Sequence, residues 1–150
     1  MLYLVFGTAD RLFALPAGEV EVVLPVPQLT PLADGPMGCV GWLHYRGREV
    51  QVMDFALMAF GSVTERLIST RLILIRAVDS GDSVWALMVE HVLELMPLEP
   101  LAGSDGWPEQ PVDWLFPEDL GDASQTVHRL NWRAFFPEAA SNGVSLMLKP

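Results

Sequence analysis

Short apolar segments recur along the chain, and each ends at glycine, proline, aspartate or asparagine. A spacing of about ten residues between such segments is typical of strands joined by turns in an all-β barrel or sandwich. Residues 2–6 and 11–16 predict a first hairpin, and residues 71–77 and 83–89 predict another. The pattern therefore predicts a mainly β protein.

The clearest local signals lie in the middle of the chain. Arg46 and Gly47 predict the tip of a tight hairpin, because glycine readily adopts the positive φ that such a turn needs. Asp54 then predicts the N-cap of a short helix over 55–60, which Gly61 ends. Two strands, a turn and a helix are expected here.

The segment from residue 17 to residue 24 is ambiguous. Val20, Val23 and Leu24 stand at positions i, i+3 and i+4, which suits a helix, whereas the intervening polar residues suit a strand. Of the two interpretations, a helical turn is favoured.

The composition changes in the last third of the chain. Residues 101–123 are rich in Gly, Pro, Asp and Trp without a useful apolar period, which predicts a long surface loop. Trp107 and Trp114 in this loop either cover the end of a barrel or dock a partner. Order returns with a strand predicted over 126–132 and one helical turn over 133–136.

The charge balance restricts the possible partners. The chain has 19 Asp and Glu against 9 Lys and Arg, for a formal charge of −10. Such a surface repels phosphate, which argues against nucleic acid and anionic lipid as partners. No secretion signal or membrane span is predicted, since Asp10 and Arg11 interrupt the first apolar segment. A cytoplasmic protein without direct membrane insertion is expected.

Catalysis, metal binding and cofactor binding find no support in the sequence. It contains no nucleophile elbow, phosphate-binding glycine loop or paired-cysteine motif. Cys39 is the single cysteine, and His44, His91 and His128 lack the spacing of metal ligands. We therefore expect neither an enzyme nor a metal or cofactor site.

The residues from Gly41 to Phe55, GWLHYRGREVQVMDF, resemble the CheW-like domain family of bacterial chemosensory pathways. Their most specific feature is the Arg-Gly hairpin with Asp54 seven residues after Gly47. The similarity extends over residues 2–98, and the Tyr45-Arg46-Gly47 segment together with Ser69-Thr70-Arg71 also resembles Wsp-type adaptors. The chain departs from the family pattern at three positions, which are occupied by Val22, His44 and Gln51 in place of glutamate, asparagine and proline.

The resemblance implies a fold and a function. The fold is two small five-stranded β-barrels packed side by side with one or two short helices, in a single domain over 1–150 that diverges from about residue 101. The implied function is a non-enzymatic adaptor that couples chemoreceptor tips to the regulatory domain of a CheA-type histidine kinase. Barrel ends would bind the kinase, and the groove between barrels would bind the receptor hairpin. The alternative is a barrel that binds a small apolar ligand.

Partner-binding residues follow partly from this resemblance and partly from chemistry. An arginine on a hairpin tip of an acidic protein can donate several hydrogen bonds to a partner's carboxylate or carbonyl oxygen. The resemblance places Val20, Val22 and Gly41 along the receptor groove. Ordinary turn chemistry for the Arg-Gly pair and core packing for the valines remain alternatives. The expected set is Val20, Val22, Gly41, Leu43, Tyr45, Arg46 and Gly47.

Overall fold

A computed structural model gives the fold of the chain. The residues that it describes are 1–8, 10–31, 38–76, 83–98, 112–115, 127–130 and 132–136. Trp107 and the predicted turn at 79–82 lie outside them.

In the described residues, ten strands and one α-helix form the framework, with short 3-10 helices at Ala17–Glu19 and Trp132–Phe135. The elements are β1 (Leu2–Thr8), β2 (Arg11–Pro16), β3 (Val20–Pro25), β4 (Cys39–Tyr45), β5 (Arg48–Asp54), α1 (Phe55–Phe60), β6 (Arg71–Arg76), β7 (Val84–Val89), β8 (His91–Pro97), β9 (Val112–Leu115) and β10 (Val127–Leu130).

The strands are arranged in two five-stranded sheets. The first sheet has the order β8-β1-β2-β10-β9 and the second has the order β3-β6-β7-β5-β4. The prediction of an all-β protein with two five-stranded units is confirmed. In the described residues no ladder joins the edge strands of either sheet, so each five-stranded unit is an open sheet and not a closed barrel. The second sheet comes nearest to closure, through a single bridge in which Thr30 and Trp42 exchange backbone hydrogen bonds of 2.9 and 2.8 Å.

Side chains from both sheets share one core. Phe55 at the start of α1 contacts Phe6 and Phe13 of the first sheet edge to face, with ring centroids 5.5 and 4.8 Å apart. Each sheet also has a smaller core of its own, a second-sheet cluster around Leu74 and a first-sheet cluster around Val5. Buried aromatic contacts therefore help to hold the two sheets together.

The helix and its caps follow the sequence prediction. Asp54 accepts a hydrogen bond from the Leu57 backbone N–H at 3.2 Å, and Gly61 ends the helix in the left-handed conformation at φ 77°. Because these caps depend on neighbours within one turn, they are readable from local sequence.

Two local predictions need correction. The helix favoured over 17–24 is a 3-10 turn followed by strand β3, which pairs with β6 in antiparallel register. Its helix-like spacing comes from a β-bulge between Val20 and Val22, which breaks the alternation of the strand. The loop predicted over 101–123 contains strand β9, where Trp114 stands in register with His128 of β10.

Candidate functional site

The β4–β5 hairpin presents Arg46 at one end of the second sheet. Arg46 and Gly47 both have positive φ, at 49° and 76°. This combination is the signature of the type I′ turn that matches the twist of a tight hairpin. The turn leaves the Arg46 side chain 76% exposed.

The carboxylate of Glu21 lies beneath this turn. Glu21 Oε2 accepts a hydrogen bond from the Tyr45 hydroxyl at 3.4 Å and lies 3.9 Å from Arg46 Nη1. Its other oxygen, Oε1, lies 3.3 Å from Arg76 Nε at the end of β6. The Arg46 guanidinium also lies over the Tyr45 ring, 5.3 Å from its centroid.

The bulge in β3 explains why Glu21 reaches this position. Val20 pairs with Ile75 and Val22 with Leu74, so that Glu21 is the extra residue of the bulge. A bulge re-aims the side chain that it contains. The β-bulge that gives β3 a helix-like spacing of apolar residues thus also directs the Glu21 carboxylate toward the hairpin tip.

We call Glu21, Tyr45, Arg46, Arg48 and Arg76 the hairpin-tip cluster. Together with Val84 they line an open cleft of about 230 Å³. Arg46 and Arg76 lie against the Glu21 carboxylate and Arg48 lines the same cleft, although the whole chain has a formal charge of −10. The Arg46 and Arg76 side chains are 76% and 52% exposed, and ion pairs that reach solvent in this way contribute about 0–1 kcal/mol. The arginines can therefore exchange Glu21 for a partner's carboxylate with little loss of stability.

The structure brings three of the predicted residues together and leaves the others elsewhere. Tyr45, Arg46 and Gly47 form the hairpin tip. Leu43 is only 5% exposed and belongs to the core of the second sheet. Gly41 is also buried, and a Cβ added to it would lie 2.5 Å from the Thr30 carbonyl oxygen.

The two predicted valines are half-buried on β3. Val20 packs against the core shared by the sheets, and Val22 packs against the core of the second sheet. Part of each side chain remains accessible beside the buried contact. Their role in binding stays a prediction.

Sequence reasoning missed Glu21, Arg48 and Arg76 as members of the cluster. Arg48 begins β5 and Arg76 ends β6, so both lie at strand ends where charged side chains reach solvent. That signal is weak in the sequence alone, since β5 and β6 are separated by α1 and a loop. Only the order of strands in the second sheet places them at the same end.

The remaining chemistry of the described residues is sparse. No three His, Cys, Asp or Glu side chains in the described part lie close enough together to hold a metal ion. Burial lowers the pKa of His128, and the positive charge of Arg11 lowers it further.

None of the described helices has the length and apolar character needed to cross a membrane.

The interior of the second sheet is filled with side chains. Leu43, Val50, Val52, Leu72 and Leu74 are all buried in its core. A second cleft of about 230 Å³ lies outside this core, and its lining includes charged and polar side chains such as Arg48, Glu49 and Gln51. Neither this core nor these clefts resembles the deep apolar cavity that the ligand-binding alternative requires.

Comparison with known proteins identifies the family. The family model for the CheW-like domain matches residues 2–107. No curated protein matches the sequence. The crystal structure of the scaffolding protein TtCheW from Thermoanaerobacter tengcongensis is similar to this fold, with a TM-score of 0.67 at 19% identity over 86% of this chain and 87% of that one. Since the family model covers most of the sequence, the chain belongs to the CheW-like domain family, whose members are scaffolds of chemotaxis signalling.

Proposed function

We propose that this chain is a non-enzymatic cytoplasmic adaptor that couples chemoreceptor tips to the regulatory domain of a CheA-type histidine kinase. The observation that carries the proposal is the hairpin-tip cluster, an arginine-rich surface on an acidic protein of the CheW-like family. Family membership supports the scaffold role. The cluster supports a specific place of contact.

The cluster has the chemistry of a contact site. Arg46 is exposed and can donate several hydrogen bonds to a carboxylate or to backbone carbonyl oxygens. Tyr45 beneath it offers an aromatic face, and tyrosine and arginine are enriched among residues that dominate binding energy. A partner carboxylate that displaces Glu21 keeps the arginines paired while the interface loses water.

The receptor contact is proposed along β3. Val20 lies half-buried at the core between the sheets, with Val22 beyond the bulge on the same strand. Such partly covered apolar side chains suit an amphipathic receptor helix laid along the boundary of the sheets. Gly41 and Leu43 support this surface from within the second sheet.

Binding of the isolated kinase regulatory domain tests the kinase contact. Titration calorimetry with the full chain is expected to give saturable binding, which Arg46→Ala weakens about tenfold or more because a central arginine is lost. Arg11→Ala is the matched control, since Arg11 lies on the first sheet over the Phe60 ring. Equal affinities of Arg46→Ala and the parent chain would remove Arg46 from the site.

Bridging is the second test. Membranes that contain the chemoreceptor are sedimented with the kinase domain, with and without this chain. An adaptor increases the amount of kinase domain in the pellet in proportion to its own amount. Sedimentation of the kinase domain that does not depend on the added chain contradicts the adaptor function.

A further inference from the structure

The loop between α1 and β6 exposes large apolar side chains. Over residues 62–70, called here the 62–70 loop, Val63 is 71%, Leu67 58% and Ile68 96% exposed. Isolated apolar residues on a surface are ordinary, but three in one short loop are a candidate interaction site. The hairpin-tip cluster does not account for them.

The first half of this loop is tied to the protein interior. Asp54, which is fully buried, accepts a hydrogen bond from the Thr64 backbone N–H at 2.8 Å through Oδ2. Its Oδ1 accepts a second one from the Thr64 hydroxyl. The carboxylate that caps α1 therefore also fixes the loop directly beside Val63.

The second half is fixed by its own hydrogen bonds. The Thr70 hydroxyl donates to the Glu65 carbonyl and accepts from the Leu67 backbone N–H, both at 2.8 Å. Arg71 Nη1 donates to the Ile68 carbonyl at 2.6 Å. Leu67 and Ile68 are thus held in an ordered backbone while their side chains face solvent. A surface ordered before binding loses less entropy when a partner arrives.

The position of the loop separates it from the hairpin tip. Arg71 begins β6 and Arg76 ends it, so the loop and the cluster lie at opposite ends of one strand. Six residues of strand span on the order of 17 Å. Both surfaces can therefore be engaged at once by one globular partner or by two.

Charge around the loop specifies the complementary surface. Arg66 is exposed between Glu65, which is also exposed, and Leu67, and no described residue forms an ion pair with Arg66. A positive side chain next to two apolar ones is matched by an apolar pocket with a carboxylate at its rim. Leu67 and Ile68 are 58% and 96% exposed, so their side chains protrude from the loop and suit a concave pocket, which a globular domain offers more readily than a rod-like helical hairpin.

We propose that the 62–70 loop inserts Leu67 and Ile68 into an apolar pocket with an acidic rim on the kinase regulatory domain. This inference rests on the proposed function, because it assigns the loop to the globular one of the two proposed partners. The loop is then a second contact with the kinase, separate from Arg46.

The test measures the affinity of the regulatory domain for the full chain and for three variants. The Leu67→Ser/Ile68→Ser double variant is expected to weaken binding at least about tenfold, since buried aliphatic anchors dominate such interfaces. Arg66→Glu is expected to slow association, most clearly at low salt. Leu95→Ser is the matched control, because Leu95 is 52% exposed on the edge strand of the first sheet. Thermal unfolding of each variant confirms that it folds.

The outcomes separate this inference from the proposed function. If the parent chain binds the regulatory domain and the double variant binds equally well, the loop assignment is overturned while the adaptor function stands. If the parent chain does not bind the domain at all, both fail. If the double variant instead loses binding to the receptor, or loses self-association measured by analytical ultracentrifugation, the assignment of the 62–70 loop to the kinase regulatory domain is overturned.

Discussion

The two sheets have the same number of strands but are assembled from different stretches of the chain. All strands of the second sheet lie between Val20 and Val89, whereas the first sheet joins the N-terminal hairpin to β8, β9 and β10. In the first sheet β2 pairs in parallel with β10, more than a hundred residues later. Closing such long loops costs more entropy and slows folding. The second sheet is therefore the more local unit, and the first depends on distant pairings.

The surfaces assigned to binding follow the same division. The hairpin-tip cluster and the 62–70 loop both belong to the second sheet, at opposite ends of β6. The first sheet contributes aromatic side chains to the shared core, and among them Phe6 and Phe13 meet Phe55. The second sheet, which is built from one stretch of the chain, thus carries both surfaces assigned to binding. The first sheet, which is built from distant stretches, supports it through the shared core.

The largest expected effect comes from the shared core. Phe55→Ala removes a ring of the core shared by the sheets, where it contacts Phe6 and Phe13, and loss of a buried phenylalanine costs about 3–5 kcal/mol of unfolding free energy. Because both sheets lose packing together, denaturant unfolding should keep a single transition at a lower midpoint. Leu95→Ala at an exposed position is the control and should change the midpoint little. Two separate transitions would show that the sheets are independent units.

The next effect concerns the carboxylate that joins α1 to the 62–70 loop. Asp54→Ala removes the helix cap and the acceptor of both Thr64 hydrogen bonds. A lost cap costs about 1 kcal/mol and the unsatisfied buried Thr64 backbone N–H about 1–3 kcal/mol, whereas the Thr64 hydroxyl can rotate toward another acceptor, so a loss of about 2–4 kcal/mol is expected.

Hydrogen exchange distinguishes this effect from a general loss of stability. Amides of the 62–70 loop should exchange faster in Asp54→Ala than the fall in global stability accounts for. Thr64→Val, which keeps the cap at Leu57 and removes only the hydroxyl, should loosen the loop with a smaller global loss. Uniform acceleration across all strands in both variants would contradict the anchoring role of Asp54.

The features that the sequence predicted are those set by near neighbours. The turn at Arg46 and Gly47 and the cap at Asp54 depend on residues within four positions, and their side-chain chemistry is specific. Short continuous apolar runs likewise located β6 and β7. For the candidate site this was enough to single out the hairpin tip.

The features that escaped prediction are set by register between distant strands. Glu21 reaches the hairpin tip only because β3 bulges against β6, and Arg76 joins it only because of the strand order in the second sheet. Strand β8 was not predicted, since its exposed leucines do not show a buried face. Local patterns carry no information on such pairings, so the cluster could not be assembled from sequence.

Two glycines at the hairpin that bears the cluster should respond differently to alanine. At Gly41 the φ is 145° and an added Cβ meets the Thr30 carbonyl oxygen, so strain and collision together should cost about 2–3 kcal/mol. At Gly47 the φ is 76° and nothing lies within 4 Å, so only the left-handed conformation is penalised, by about 1 kcal/mol. Thermal unfolding of both variants measures the difference. Equal losses would mean that the close approach of Thr30 to β4 contributes nothing.

The smallest expected effect is a pH dependence of the unfolding free energy that comes from His128 in the first sheet. Burial, assisted by the charge of Arg11, lowers the pKa of His128 below its ordinary value of 6.5. The unfolded chain therefore takes up a proton at this residue before the folded chain does, and protonation favours unfolding. The contribution of neutral His128 to stability is complete above pH 6.5 and is lost as the pH falls through the lower folded-state pKa. In His128→Gln the unfolding free energy should decline less between pH 7 and pH 5 than in the parent chain, because the acidic groups common to both cancel. Parallel pH profiles would show that the imidazole is solvated in the folded protein.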